Sequence, residues 1–145
     1  MEVQVNAQSF TSQNTLEECL VRTQAGKTSV DEFTEVLLES KVVVLLDNEI
    51  KGETWDNSSQ PLVLKSPRGG DVLALFTSLD RATPWCKQVP KYVFALEVAF
   101  AWIIKSVGGQ KMGVVLNPGH PVGVELAPER IAELRTRNRH PTALP

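Results

Sequence analysis

Ser29-Val-Asp-Glu-Phe-Thr-Glu-Val-Leu-Leu-Glu-Ser-Lys-Val-Val-Val-Leu-Leu-Asp47 carries a helix start, a helix face and a strand within nineteen residues. Ser29 and Glu32 have the spacing of a capping box, in which each side chain satisfies a backbone N–H of the other's residue. Asp31 and Glu32 complement the positive end of the helix dipole. Phe33, Val36 and Leu37, with Val30 before them, recur at helical spacing and predict a buried stripe. Glu35 and Glu39 lie one turn apart on the opposite, solvated face. Lys41 to Asp47 is then β-branched and almost wholly apolar, without polar alternation, so it reads as a strand covered on both faces and placed near the centre of a sheet.

Upstream, Leu16, Cys19, Leu20 and Thr23 share one helical face, and Gly26 suits a C-terminal stop, which predicts a first helix over Thr15 to Ala25. Downstream, Leu62 to Lys65 and Asp71 to Phe76 read as a hairpin turning through Pro67 to Gly70. Thr77 to Trp85 reads as a short helical turn closed before Pro84. Tyr92 to Leu96 follows Pro90 and has strand character, and Val98 to Val107 reads as a buried helix ended by Gly108-Gly109. Lys111 to Asn117 and Pro121 to Leu126 are strands joined through Pro118-Gly119. A last helix starts with Pro128 in its first turn and turns Ile131 and Leu134 inward. This order predicts an α+β domain with a single mixed β-sheet and helices packed on it, rather than repeated βαβ units. Residues 1–14 read as a flexible lead-in, 15–137 as one domain and 138–145 as a flexible tail.

Composition narrows the function classes. The 145 residues are 42% hydrophobic and 22% charged, ordinary for a soluble domain. A formal net charge of −2, with Lys and Arg scattered apart from the tail Arg135 to His140, offers no attraction to polyphosphate and disfavours nucleic acid. The longest apolar stretch, Tyr92 to Ile104, is interrupted by Glu97 and falls short of the roughly 20 residues of a membrane span. The first ten residues lack the basic start and apolar run of a secretory leader, so the expected compartment is the cytoplasm. Cys19 and Cys86 have no metal-ligand spacing, and two histidines, His120 and His140, do not make a metal site. No cofactor motif opens a helix: Gly69-Gly70 and Gly108-Gly109 stand outside both the dinucleotide and the P-loop frames. Ser78 or Cys86 with His120 and Asp80 could be drawn as a triad, but no nucleophile elbow surrounds them, so no catalytic residue is assigned.

Asn117-Pro118-Gly119-His120 has two readings. All but His120 are turn formers, which makes a tight connection between two strands. The same turn could stand beside Phe76-Thr77-Ser78 at a sheet edge and present Asn117, His120 and Thr77 to a ligand or a partner. Trp55, in a polar loop, suits an interface anchor, and it also suits packing back over the sheet.

Three stretches then coincide in order: Leu37 to Asp47, Leu73 to Ala82 with Phe76-Thr77-Ser78, and Gly113 to Leu134 with Leu116-Asn117-Pro118-Gly119 and Pro128-Glu129. Together they resemble the N-terminal domain of the SseB family, the enhanced serine sensitivity proteins of bacteria, over Leu16 to Arg137. The resemblance implies the same α+β fold and brings no established catalytic residues. The length leaves no room for the second domain of longer family members. The expectation is a bacterial, cytoplasmic, non-enzymatic domain without cofactor or metal that binds another protein as an adaptor, regulator or toxin-immunity protein. It is expected to be a monomer or a weak homodimer, with a binding surface at Trp55, Phe76, Thr77, Ser78, Asp80, Asn117, Gly119 and His120. The alternatives are a small-ligand binder or enzyme with a pocket at the Asn117–His120 turn, and a secretion chaperone.

Overall fold

Asn14 opens the first helix. Its backbone is extended and its Oδ1 accepts the Glu17 N–H at 2.8 Å, satisfying one of the donors left over at a helix start. The computed structural model describes residues 12–48, 59–107 and 112–137. In it α1 spans Thr15–Gln24 and α2 spans Val30–Leu38, with both halves of the Ser29/Glu32 capping box formed. The buried residues of α2 are Phe33, Thr34 and Leu37; Val30 stands largely in solvent, outside the predicted stripe.

The sheet follows: β1 (Lys41–Leu46), β2 (Val63–Lys65), β3 (Asp71–Phe76), β4 (Phe94–Ala99), β5 (Gly113–Leu116) and β6 (Val124–Leu126). Three more helices interleave with it, α3 (Leu79–Gln88), α4 (Phe100–Val107) and α5 (Pro128–Arg137). The strand order is β4-β1-β3-β5-β6, with β2 also paired to β3. Every pairing is antiparallel except β3 with β5, which run parallel in register Leu73↔Val114 and Leu75↔Leu116. The predicted mixed sheet with packed helices is therefore present.

β1 is buried from Val42 through Leu46, as its unbroken apolar run requires. Val42, Val44 and Leu46 face the larger core, which holds Leu16, Leu20, Phe33, Leu37, Phe100, Ile103, Ile104, Ile131 and Leu134 from α1, α2, α4 and α5. Val43 and Leu45 face the smaller core, with Leu62, Ala74, Phe76 and Ala82, against which Trp85 and Cys86 of α3 pack. Among the described residues four helices thus cover one face and α3 the other.

Several boundaries differ from those predicted: the strands read over Lys111 to Asn117 and Pro121 to Leu126 are shorter, at Gly113–Leu116 and Val124–Leu126, and two further differences have a cause in packing. Proline 84 does not close the turn before it: α3 continues through Pro84 to Gln88, because Ala82, Trp85, Cys86 and Val89 make an apolar face that packs on β1 and β3. Tertiary burial outweighs the missing N–H there. The strand predicted over Tyr92 to Leu96 lies at Phe94–Ala99, since six consecutive pairs with β1 hold it as far as Ala99. The Phe100 N–H then donates to the Ser40 carbonyl at 3.0 Å and α4 begins without a loop. Cys19 is buried and Cys86 half-buried, and both are free thiols. No helix among the described residues is long and apolar enough to cross a membrane. The flexible lead-in and tail expected of 1–14 and 138–145 fall outside the described residues, except for positions 12–14.

Glycine is required where β5 meets β6. A Cβ on Gly113 would stand 2.5 Å from the Leu126 carbonyl oxygen, and one on Gly123 would stand 2.5 Å from that of Leu116. Gly113→Ala should therefore destabilise the domain by about 1–3 kcal/mol in a urea titration, the usual cost of forced overpacking.

Candidate functional site

Because β3 and β5 are parallel neighbours, their carboxyl ends lie side by side and the residues that follow them meet. Asn117 adopts φ 55°, in the left-handed region that Asn tolerates better than most residues. Its N–H donates to the Leu75 carbonyl at 2.9 Å, extending the ladder by one step. Its Oδ1 accepts the Thr77 N–H at 3.0 Å, and its Nδ2 donates to Thr77 Oγ1 at 2.9 Å and to the Val122 carbonyl at 3.3 Å. The Thr77 hydroxyl in turn donates to Glu17 Oε2, and the Thr77 carbonyl accepts from Asn14 Nδ2 at 2.8 Å. Thr77 and Asn117 are both buried.

Glu17 is fully buried, and four groups surround its carboxylate. Arg81 Nε and Nη2 each donate at 3.0 Å, one to each oxygen, and the Gln13 N–H donates to Oε1 at 2.9 Å beside the Thr77 hydroxyl. Burial pushes the Glu17 carboxyl up. The hydrogen bonds from Arg81, Thr77 and Gln13, with the Arg81 charge, outweigh it and hold the group below its ordinary value of 4.5.

The Asn117–His120 turn is fastened to α3 at two points. Trp85 Nε1 donates to the Pro118 carbonyl at 2.7 Å, with the ring packed beside Gly119, whose φ of 81° favours glycine. His120 Nε2 lies 2.7 Å from the Arg81 carbonyl oxygen; a carbonyl only accepts, so that nitrogen carries the proton. Beside this turn, Gln13 bridges α3's first turn, accepting from Ser78 Oγ at 2.9 Å and donating to Asp80 Oδ2 at 3.1 Å.

The structure therefore brings Phe76, Thr77, Ser78, Asp80, Asn117, Gly119 and His120 to one end of the sheet. Their exposure divides them. Phe76, Thr77 and Asn117 are interior side chains that support the surface from below, while Ser78 and His120 are half-buried and Asp80 and Gly119 are exposed. Trp55 lies outside the described residues. Sequence reasoning missed Asn14, Gln13, Glu17, Arg81 and Trp85. Glu17 carried a signal, since a residue three before Leu20 and four before Val21 falls on the apolar side of the helix.

The depression at the turn is open to solvent and holds about 280 Å³, lined by Asn117, Pro118, Gly119, His120, Gly123 and Glu125 among others. That is at the lower end of the roughly 300–1,000 Å³ of small-molecule sites. Thr77 and Ser78 do not line it. Among the described residues no three His, Cys, Asp or Glu side chains gather as a metal site.

A family profile, that of the SseB protein N-terminal domain, matches residues 16–133. The chain belongs to the SseB family. No curated protein and no solved structure matches it. The matched span of this SseB domain includes Glu17, Thr77, Arg81 and Asn117, hence the carboxylate cluster apart from its Gln13 donor.

Removing the cation from a buried pair leaves the anion uncompensated, so Arg81→Ala should cost this SseB domain about 3–5 kcal/mol in chemical denaturation. Arg81→Lys should recover only part of it, because an ammonium cannot reproduce the two-point contact. Since the folded Glu17 value is lowered, its stabilisation is complete above the ordinary value of 4.5 and is lost as pH falls through the folded value. Glu17→Gln should flatten the acid limb of the stability–pH curve.

Proposed function

We propose that this SseB domain is a non-enzymatic protein-binding module of the adaptor, regulatory or immunity type. Its docking surface is the corner where the start of α3 meets the Asn117–His120 turn. One observation carries the reading. The polar side chains that could have done chemistry there, Glu17, Thr77 and Asn117, are occupied by internal hydrogen bonds, while Leu79 beside them is 57% exposed. An exposed large apolar side chain on a rigid, internally satisfied support suits recognition of another protein better than turnover of a small molecule. The open depression with its modest volume supports the same choice. An acidic, cytoplasmic immunity protein that covers its target is the form of this reading that the net charge of −2 favours, by analogy of class alone.

Leu79→Asp changes an exposed side chain, so it should leave the circular dichroism spectrum and melting temperature unaltered while releasing the partner. The check is affinity purification of the tagged domain from lysate of its source organism, wild type and variant in parallel, with mass spectrometry of what is retained. One stoichiometric protein present with the wild type and missing with the variant is the expected outcome. Equal retention by both moves the surface elsewhere. A bound metabolite and no protein would replace the reading with a small-ligand function.

A further inference from the structure

Among the described residues the strand path β4-β1-β3-β5-β6 ends at β4 and at β6, and these two ends are built differently. β6 has three residues, lies between Pro121 and Pro128, and has its central Glu125 tied to Ser66 Oγ at 2.7 Å. Short strands, prolines and charges are the usual means of preventing edge pairing. β4 has six residues, Phe94-Ala-Leu-Glu-Val-Ala99, no proline and one charge.

The direction of its backbone groups follows from the register. Lys41 pairs with Ala99, which sets Ser40 opposite Phe100, and the Phe100 N–H donates to the Ser40 carbonyl. Residues of an antiparallel strand alternate between the two flanks, so Phe94, Leu96 and Val98 turn their N–H and C=O groups to β1. Ala95, Glu97 and Ala99 turn theirs outward. The other flank of β1 gives the same parity, because the odd-numbered Leu45 carbonyl accepts from Leu62, away from β4. Among the described residues no hydrogen bond reaches the outward groups of β4. At the same edge Val93 is 54% and Phe94 38% exposed, two of the four large apolar side chains that stand in solvent among the described residues.

We propose that the β4 edge binds a second copy of this chain, the two β4 strands pairing antiparallel about a two-fold axis through Leu96. Such an axis, perpendicular to the sheet, sets outward-pointing residues only against outward-pointing residues, which the unpaired groups require. Two central registers satisfy that rule. Centring on Glu97 opposes like charges directly and is unfavourable. Centring on Leu96 sets Glu97 against Ala95, Ala99 against Val93, Phe94 against Val98 and Leu96 against itself. It satisfies the outward donors and acceptors and covers Phe94. The strand is therefore complementary to its own copy, whereas a foreign strand would have to match the same pattern by other means. The contact is one strand wide, smaller than the roughly 800 Å² per partner of a stable interface, so the pair is reversible and concentration-dependent.

Sedimentation velocity from about 1 µM to about 1 mM, a range that brackets weak association, should show monomer passing to dimer. Two opposite substitutions at one exposed position test the register. Ala95→Lys faces Glu97 of the other copy twice over and should tighten the dimer by about tenfold, while Ala95→Glu should weaken it similarly, given the size of cross-strand charge effects. Both variants should keep the monomer's melting temperature. In the wild type, amide exchange at Ala95, Glu97 and Ala99 should slow as concentration rises. A monomer across the whole range overturns the proposal, and so does a dimer whose affinity neither variant changes.

Discussion

A carboxylate placed in the interior at the end of a β-strand has to be surrounded by donors, and that constraint organises this domain. Glu17 belongs to α1, whose apolar residues enter the larger core, while Arg81 belongs to α3, whose apolar residues enter the smaller one. Their bidentate pair therefore connects the two helical layers around the end of β3. A buried ion pair is not by itself a source of much stability, because desolvation of both charges offsets their attraction. What it does impose is arrangement. The carboxylate is tolerated only with Arg81, Thr77 and the Gln13 N–H in place, and Thr77 is in place only when Asn117 holds its N–H. No buried side-chain polar atom among the described residues lacks a partner, so the network is complete.

The elements whose forces are local were legible in the sequence. Ser29 and Glu32 declare their capping box within four residues, and Val42 to Leu46 declare burial on both faces by lacking any polar alternation. Pro84 and the bounds of β4 run against their local signals because the deciding energies are not local. The burial of α3's apolar face against β1 and β3 carries a helix through a proline, and six pairs with β1 set where β4 ends. Of the two readings of Asn117 to His120, the turn is present, with the His120 N–H donating to the Asn117 carbonyl at 3.1 Å. That the Asn117 side chain closes a hydrogen-bond circuit with Thr77, forty residues away, has no local signal at all. Glu17 was masked for a different reason, since an acidic residue in a first helical turn already has an adequate explanation in the helix dipole.

Interior and surface thus divide the same short motifs between them. Thr77 and Asn117 contribute rigidity, and Asp80, Gly119 and the half-buried His120 contribute outline, with Leu79 adding apolar area at the crest of α3. The β4 edge lies on the far margin of the sheet from β5 and β6, so the two proposed surfaces draw on separate parts of the chain.

The parallel pairing of β3 with β5 has a consequence for synthesis of the protein. Between those neighbours the chain makes α3, crosses to the opposite margin as β4, and returns through α4. A nascent chain that has left the ribosome only as far as α4 has its β1, β3 and β4 strands available for antiparallel pairing, yet it lacks the amide that receives the Thr77 N–H. Glu17 and Arg81 then face water-accessible gaps instead of a closed shell. Long-range closure of this kind comes late in folding, so the corner proposed as the docking surface acquires its shape only after Asn117 has emerged. A partner that recognised this corner, as proposed, would distinguish chains that include Asn117 from those truncated before it.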